Sequence, residues 1–326
     1  MPPVAARGAP RGRPLTAGGA VPGDGFRCAP AGEERGESLA GTASTFRGFL
    51  LVEHAGAWGV EALHDARLPD GVGPALKSAC AAAGVKPLLM RRPGRSRPEG
   101  CRVFAAFTGY ADRPAYLETA VLDRPDDVLG LDLAALRAGH ILGLTRHDRP
   151  VFGVCTHGRH DACCAERGRP VAAALAAAHP EETWELSHLG GDRFAANLVI
   201  FPHGLYYGRL DADSGPAVAG AHLRGEVDLD HLRGRSSYAP AVQYAEIALR
   251  RELGVLGLHD VRLTGRAVVG EETRVAFRMG SSSYAVVVRS VRGPAVRLTC
   301  RARRAEPALV HELLGFAEAE ASPDPG

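Results

Sequence analysis

The sequence predicts an α/β protein in which two tandem domains with mixed sheets are followed by a small α+β domain. Its 326 residues are enough for two or three domains of ordinary size. Hydrophobic residues make up 45% of the chain and charged residues 23%, which is typical of folded domains. One order of strand-like and helix-like segments also occurs twice in succession. We therefore expect two related domains rather than a coiled coil or a disordered chain.

The first predicted domain covers residues 44–142 and follows a tail. The first 27 residues combine Pro, Gly, Ala and Arg without hydrophobic periodicity, so residues 1–43 are predicted to be a disordered or extended tail. Beyond the tail, runs of branched and aromatic residues predict strands, and a run with helical spacing ends at Gly84. The predicted order is strand, helix, three strands and helix, over residues 46–54, 71–84, 86–90, 101–107, 115–122 and 132–139.

The second predicted domain, residues 147–235, repeats this order of elements. Its last two strands form a hairpin that turns at Pro202, His203 and Gly204. A β-α-β unit followed by a β-β-α unit is the thioredoxin-like arrangement. We therefore predict that both domains are thioredoxin-like. The predicted segments of the second one are a strand at 150–154, a helix at 162–179, a strand at 183–189, the hairpin at 197–210 and a helix at 213–225.

The third predicted domain covers residues 236–320 and is followed by a short tail at 321–326. It begins with a helix whose apolar residues lie on one stripe and which stops at Gly254. Apolar residues then alternate with arginines, as in half-buried strands. This combination predicts a small α+β domain, with the helix at 236–254, strands at 273–279 and 295–301, and a final helix at 307–319.

Charge and hydropathy restrict the partners and the compartment. The formal net charge is only +2, which disfavours nucleic acid as a partner. No apolar run approaches the length of about 20 residues that crosses a bilayer, so no membrane association is expected. A secretory signal would have an apolar core after a basic start, and the sequence shows no such segment. We therefore expect a cytoplasmic protein with reduced cysteines.

Cysteine, histidine and aspartate side chains gather in two loops of the second predicted domain. Three of the seven cysteines lie within ten residues, which favours a metal or redox site over a disulfide scaffold. Cys155 and Cys164 belong to the loop after its first strand, and His188 and Asp192 to the loop after its second strand. Ligands of open α/β sheets bind at loops beyond the strand ends. These four residues are therefore predicted to bind a metal or cofactor.

The motifs of these loops resemble those of the sucrase/ferredoxin-like family. The resemblance extends from about Cys28 to Gly254, and its two motifs in the second domain are specific. It implies a thioredoxin-like ferredoxin with a [2Fe-2S] cluster held by two cysteines and two histidines. The segments that carry it are RCAPAGEERGESLAGTASTFRGFLLVEHAGAWG (27–59), CTHGRHDACCAERGRPVAAAL (155–175) and TWELSHLGGDRFAANLVIFPHGLYYGR (183–209).

Carried over by position, the resemblance assigns the cluster to Cys155, Cys164 and His188. The second histidine position is occupied by Asp192. Three outcomes follow: Asp192 ligates directly, a neighbouring group takes the fourth position, or the cluster is absent. A mononuclear zinc site is the main chemical alternative to the cluster. The reserve ligands are Cys163, His157 and His160.

Other features complete the functional interpretation. The pair Gly190-Gly191 predicts a tight turn with close backbone approach. Cys28 has no partner at metal spacing, and Cys80, Cys101 and Cys300 are interpreted as core residues. No nucleotide-binding fingerprint, nucleophile elbow or glycosidase carboxylate pair is found, so no catalytic residue is assigned. The predicted function is electron transfer or redox sensing with an unidentified redox partner protein, and the alternative is a degenerate or zinc-binding scaffold that acts as an adaptor.

Overall fold

The computed structural model describes residues 25–94, 100–110 and 113–319. Residues 1–24 of the predicted tail and the tail at 321–326 lie outside the described residues. A short helix is present within the range predicted as a tail, and its first residue, Cys28, is buried. The chain is a mixed α/β protein with one large mixed sheet and a separate four-stranded antiparallel sheet.

The first half of the large sheet follows the predicted order of elements. The helix predicted to stop at Gly84 does so, and this glycine has a φ of 69°, which favours glycine over residues with a side chain. The elements are α1 (Cys28–Glu34), β1 (Gly48–Glu53), α2 (Ala62–Asp65), α3 (Val72–Ala83), β2 (Val85–Arg91), β3 (Cys101–Phe107), β4 (Tyr116–Leu122), α4 (Leu133–Ala138) and β5 (Thr145–Arg146).

The second half repeats this order, as predicted. The hairpin turns at residues 202–204 between two fully buried strands, which confirms its predicted position. The elements are β6 (Val151–Cys155), α5 (Ala162–Ala178), β7 (Thr183–Leu186), β8 (Leu198–Phe201), β9 (Leu205–Tyr207), α6 (Ser214–Leu223) and β10 (Leu232–Arg235).

The two halves share one continuous ten-stranded sheet. Its strand order is β10-β9-β8-β6-β7-β2-β1-β3-β4-β5. In each half the first strand is parallel to the second and antiparallel to the third, and the fourth strand pairs with the third. The second strands of the halves join antiparallel, with Met90 opposite Leu186 and Arg91 opposite Glu185.

Alternate residues of the strands face different cores, as expected for a sheet buried on both faces. Phe152 and Val154 of β6 pack in a core with helices α5 and α6. Val151 and Cys155 of the same strand belong to a second core that extends over both halves. The end of β6 therefore carries the Cys155 thiol into the interior between the halves.

The C-terminal region differs from its prediction at two places. The run at 307–319, predicted as a helix, is a long strand that pairs antiparallel with its predecessor. The run at 295–301, predicted as a strand, is strand only to Val296, so Cys300 lies in a loop. A helix packs on this sheet through an apolar core. The elements are α7 (Pro240–Leu253), β11 (Arg262–Val269), β12 (Glu272–Met279), β13 (Ser282–Val296) and β14 (Glu306–Ala319).

Among the described residues, no helix is both long enough and apolar enough to cross a membrane.

Candidate metal site

The four predicted ligands lie at the carboxyl ends of two neighbouring parallel strands. Cys155 is the last residue of β6, and Cys164 lies in the first turn of the following helix, α5. His188 follows β7 by two residues, and Asp192 begins a 3₁₀ turn. Because β6 and β7 are paired in parallel, the loops that follow them meet at one edge.

The side chains of these residues form a continuous chain of contacts. Cys155 and Cys164 lie in the same buried core, where Cys164 lowers the pKa of Cys155, and Cys164 Sγ lies 3.3 Å from Asp192 Oδ1. The same carboxylate oxygen lies 3.0 Å from His188 Nδ1. Cys155, Cys164 and Asp192 are buried, whereas the side chain of His188 is 32% exposed. The set therefore extends from the interior to the surface, with His188 at its outer end.

Helix α5 approaches β6 closely enough to bring the two cysteines together. A Cβ atom at Gly168 would lie 2.1 Å from the backbone oxygen of Cys155, so this contact requires glycine. Asp161 caps the helix, since its carboxylate accepts a hydrogen bond of 3.0 Å from the backbone N–H of Cys163. The glycine and the cap fix Cys164 beside Cys155.

The second loop turns at Gly190-Gly191, as predicted. Their φ angles are 94° and 77°, which side chains disfavour. Arg233 is fully buried against the turn and donates hydrogen bonds of 3.0 Å to Gly190 O and 2.7 Å to Asn197 Oδ1. Asn197 Nδ2 in turn donates to Gly191 O at 3.0 Å. Arg233 and Asn197 therefore hold the turn that separates His188 from Asp192. No sequence pattern had identified either residue as part of the site.

The contact between the two cysteines shifts their pKa values in opposite directions. Cys164 lowers the pKa of Cys155 to about 7 against the opposing effect of burial, and His188 and the backbone N–H of His157 lower this pKa further. Cys155, together with burial, raises the pKa of Cys164. Cys155 therefore loses its proton more readily than Cys164, and the thiolate is the form that binds metal.

His188 and Asp192 stabilise each other as an ion pair. Burial opposes the charged form of each residue, but the pKa of His188 is raised because the Asp192 carboxylate attracts its proton. The pKa of Asp192 is lowered because His188 outweighs the effect of burial. His188 Nδ1 makes no aligned hydrogen bond, and it becomes a metal donor atom once its proton is displaced.

Two reserve ligands, His157 and His160, contact a loop from the first half. His157 Nε2 donates to Gly59 O at 3.0 Å, and His160 Nδ1 lies 3.2 Å from Val60 O. Because a carbonyl only accepts, Nδ1 of His160 carries a proton, and in the neutral ring Nε2 is then the atom with a lone pair. The rings of His160 and His188 lie 3.8 Å apart. His160, His188 and Asp192 each offer a donor atom within 4.8 Å of the others and could hold a metal ion.

The third reserve ligand, Cys163, belongs to a different cluster. Its Sγ lies 3.4 Å from Sγ of Cys300, and Cys28 and Asp161 complete a group of donor atoms that all lie within 4.8 Å of one another. The interpretation that Cys28 has no partner is therefore wrong, and so is the placement of Cys300 on a strand, although Cys300 does pack against a small core. These residues are far apart in the chain, so spacing rules could not group them. The vicinal Cys163-Cys164 pair was the one local hint.

The two remaining cysteines lie where they were predicted. Cys80 and Cys101 are buried in the apolar core of the first half. Burial raises the pKa of Cys80 to about 12 and that of Cys101 to about 11. Both are therefore protonated core residues.

Comparison with known proteins identifies one match. The model of the sucrase/ferredoxin-like (Suc_Fer-like) family matches residues 39–234, more than half of the chain. This range includes both halves of the large sheet and all four predicted ligands. Searches of curated proteins and of solved structures each found no match. The family match confirms the resemblance that the loop motifs carry.

Proposed function

The chain belongs to the sucrase/ferredoxin-like family, and from this premise we propose that it is a ferredoxin-like electron carrier or redox sensor. Its [2Fe-2S] cluster would be held by Cys155, Cys164, His188 and a fourth ligand, Asp192. The observation that carries the proposal is the buried contact chain from Cys155 through Cys164 and Asp192 to His188.

The donor set suits this group chemically. Thiolates hold [2Fe-2S] clusters, and imidazoles replace two of them on one iron in some centres. Here two thiols and a carboxylate lie at the inner, buried end of the set, and an imidazole lies at the outer end. The backbone N–H of His157 donates to the Cys155 sulfur, and such bonds to sulfur tune the potential of a cluster. When bound, the cluster takes up and returns one electron.

Two side chains are candidates for the fourth ligand. Asp192 lies in contact with both Cys164 and His188. His160 offers the free Nε2 lone pair beside His188. A carboxylate is a harder, anionic ligand that favours ferric iron, whereas an imidazole raises the potential. We assign the position to Asp192 because it joins the cysteine pair to His188, and His160 is its competitor.

The sheet topology supports a ferredoxin with thioredoxin-like halves. Each half contains a β-α-β unit followed by two antiparallel strands, and its strand order is second, first, third, fourth. This is the order expected of a thioredoxin-like domain, so we propose that both halves have this fold. The first half has a role at the site as well, since its residues 59 and 60 accept hydrogen bonds from His157 and His160.

The protein groups around the site perform two tasks. Burial of Cys155, Cys164 and Asp192 excludes water from the inner end. The partly exposed His188 leaves the outer end near the surface, where a partner protein could exchange electrons. Lys86, whose Nζ donates to Leu189 O at 2.7 Å, places a positive charge near Cys155 and Asp192. This charge offsets part of the negative charge of the ligands.

The alternative is a zinc-binding or degenerate thioredoxin-like scaffold that acts as an adaptor module. It is favoured by the compact group of His160, His188 and Asp192, whose donor atoms are close enough for a single ion. Zinc accepts this mixture of nitrogen and oxygen ligands. The two functions differ in iron and sulfide content.

Anaerobic purification of the full chain tests the proposal. We expect brown protein that contains iron and acid-labile sulfide in equal amounts, two of each per chain. Cys164→Ser should lose both, whereas Cys80→Ser, a buried cysteine of the first half, should keep both. Colourless wild-type protein whose zinc content falls in His188→Ala would establish the alternative at this site. Colourless protein that cannot be reconstituted with iron and sulfide would contradict the ferredoxin function.

A further inference from the structure

A second group of metal-binding side chains lies on the opposite side of Cys164. Cys28 is the first residue of α1, Asp161 and Cys163 lie at the start of α5, and Cys300 lies in the loop between β13 and β14. The first three are almost completely buried, and Cys300 is partly buried. The group thus joins three segments that are distant in the sequence.

The distances within the group match the edges of a zinc tetrahedron. Cys300 Sγ lies 3.4 Å from Cys163 Sγ and 3.5 Å from Cys28 Sγ. Cys28 Sγ lies 3.6 Å from each oxygen of Asp161. Zinc bonds of about 2.3 Å to sulfur and about 2.0–2.2 Å to oxygen give tetrahedral edges of roughly 3.5–3.8 Å. Three of the six distances between the donor atoms are therefore close to these edges, and all six are within 4.8 Å.

Backbone N–H groups hold three of the four donors in place, those of Asp161, Cys163 and Cys300. Asp161 Oδ1 accepts from Cys163 N at 3.0 Å, and Oδ2 accepts from Cys300 N at 2.7 Å. The backbone N–H of Cys28 donates to Cys300 Sγ at 3.4 Å, and that of Ala29 donates to the Cys163 sulfur. Hydrogen bonds of this kind orient metal ligands and stabilise thiolates.

Simple core packing does not account for the group. Cysteine alone is common in apolar cores, but here a buried carboxylate lies among three thiols. The two backbone N–H groups that bond to this carboxylate carry no net charge, so its burial still costs free energy unless a cation pairs with it. All seven cysteines are free thiols, so disulfide formation does not explain their approach either.

We propose that Cys28, Asp161, Cys163 and Cys300 bind one structural zinc ion. A closed set of four ligands with three thiolates suits zinc and leaves no open position for a substrate. Binding would displace the thiol protons, and the positive charge of zinc would then stabilise the thiolates. The ion ties α1 and the β13–β14 loop to the start of α5. It is separate from the cluster site and does not depend on the proposed electron transfer.

Metal analysis and native mass spectrometry of the full chain test the zinc site. We expect one zinc per chain, with a mass increase equal to zinc minus the displaced protons. Cobalt added to zinc-free protein should give the intense visible absorption of a tetrahedral, thiolate-rich site. Cys28→Ser and Cys300→Ser should lose both signals. The matched controls Cys80→Ser and Cys101→Ser should keep them.

The cluster-site variant Cys155→Ser separates the two sites. It should lose iron and sulfide but retain one zinc, so failure of the ferredoxin function leaves the zinc prediction intact. Wild-type protein without zinc that also fails to bind added zinc or cobalt overturns the inference. So does zinc content that Cys28→Ser and Cys300→Ser leave unchanged, or a mass two protons lower that shows a disulfide in place of the ion.

Discussion

Cys163 and Cys164 are consecutive residues of helix α5, yet their thiols belong to different clusters. Cys164 Sγ lies 3.3 Å from Asp192 Oδ1, whereas Cys163 Sγ lies 3.4 Å from Cys300 Sγ. Successive side chains on a helix are separated by about 100°, so neighbouring residues point in different directions and can contact different groups. The start of α5 therefore separates two groups of potential metal ligands.

This arrangement predicts opposite metal losses for two adjacent substitutions. Cys164→Ser should abolish iron and sulfide binding and retain zinc, because the thiol of Cys164, and not that of Cys163, contacts Asp192. Cys163→Ser should retain iron and sulfide and lose zinc. Metal and sulfide analysis of the two purified variants checks the prediction. Equal loss of both metals in both variants would show that the vicinal pair acts as one site.

Gly191, in the turn between His188 and Asp192, should not tolerate a side chain. A Cβ atom at Gly191 would lie 2.1 Å from Arg233 Nη2, so Gly191→Ala must displace a buried guanidinium. Gly225 has nearly the same φ, 79°, but nothing lies near its Cβ position. We expect Gly225→Ala to cost about 1–2 kcal/mol from the backbone alone. Gly191→Ala should cost a further ~1–3 kcal/mol from the clash.

Urea unfolding of both glycine variants measures this difference. The iron content should also fall in Gly191→Ala and stay unchanged in Gly225→Ala, because only the first turn positions ligands. Equal unfolding free energies in the two variants would contradict the role of Arg233.

The repeated order of elements and the first ligand set were predictable because local patterns carry them. The segment at 71–84 combines helical spacing with a glycine stop, and the hairpin turn is marked by Pro202, His203 and Gly204. Residues 307–319 were assigned wrongly to a helix. In them the consecutive Leu313 and Leu314 obscure the period of two, and pairing with β13 decides the structure.

Long-range contacts account for what the sequence did not predict. Cys28 and Cys300 are 272 residues apart, beyond any ligand-spacing rule. The antiparallel pairing of β2 with β7 involves only two residue pairs, Met90 with Leu186 and Arg91 with Glu185. No periodicity in the sequence marks such a junction. The sequence did not indicate Arg233, because a buried arginine can be identified only from the carbonyl groups that surround it in the folded protein.

The buried His222 and the half-buried His203 beside it should make the protein sensitive to acid. His203 Nδ1 and His222 Nε2 lie 3.3 Å apart. Burial, and then nearby positive groups, lower the pKa of His203 to about 3 and that of His222 to about 4. Unfolded histidines have a pKa near 6.5. The unfolded chain therefore binds more protons below that pH, and stability should fall as the pH drops from about 6.5 towards 4.

Urea unfolding between pH 7.5 and pH 4 tests this dependence. His222 alone should contribute a loss on the order of 3 kcal/mol by about pH 4. His222→Gln should flatten the profile, and the control His64→Gln, whose side chain is 74% exposed in the wild type, should leave it unchanged. A wild-type profile that is flat above pH 4.5 would show that these histidines are protonated in the folded protein.

The buried carboxylate of Glu246 should be essential for the attachment of helix α7. Its Oε1 accepts hydrogen bonds of 3.0 Å from Nε of Arg235 and from Nε of Arg250. Arg250 is fully buried, so Glu246→Gln leaves positive charge without compensation. We expect a loss of about 3–5 kcal/mol of unfolding free energy. Glu226→Gln, in an exposed pair with Arg224, should cost less than about 1 kcal/mol.

Denaturant unfolding of these two variants provides the comparison. A loss below about 1 kcal/mol for Glu246→Gln would show that the two arginines find other partners.

Electron paramagnetic resonance of the reduced protein tests the cluster site most directly. The wild-type chain should give a spin-half signal that integrates to one spin per chain, as expected of a reduced [2Fe-2S] cluster. The signal should change in His188→Ala and Asp192→Ala and stay the same in Cys80→Ala. Absence of the signal after reconstitution with iron and sulfide would contradict the ferredoxin function. A signal left unchanged by both loop variants would contradict ligation by the loop after β7.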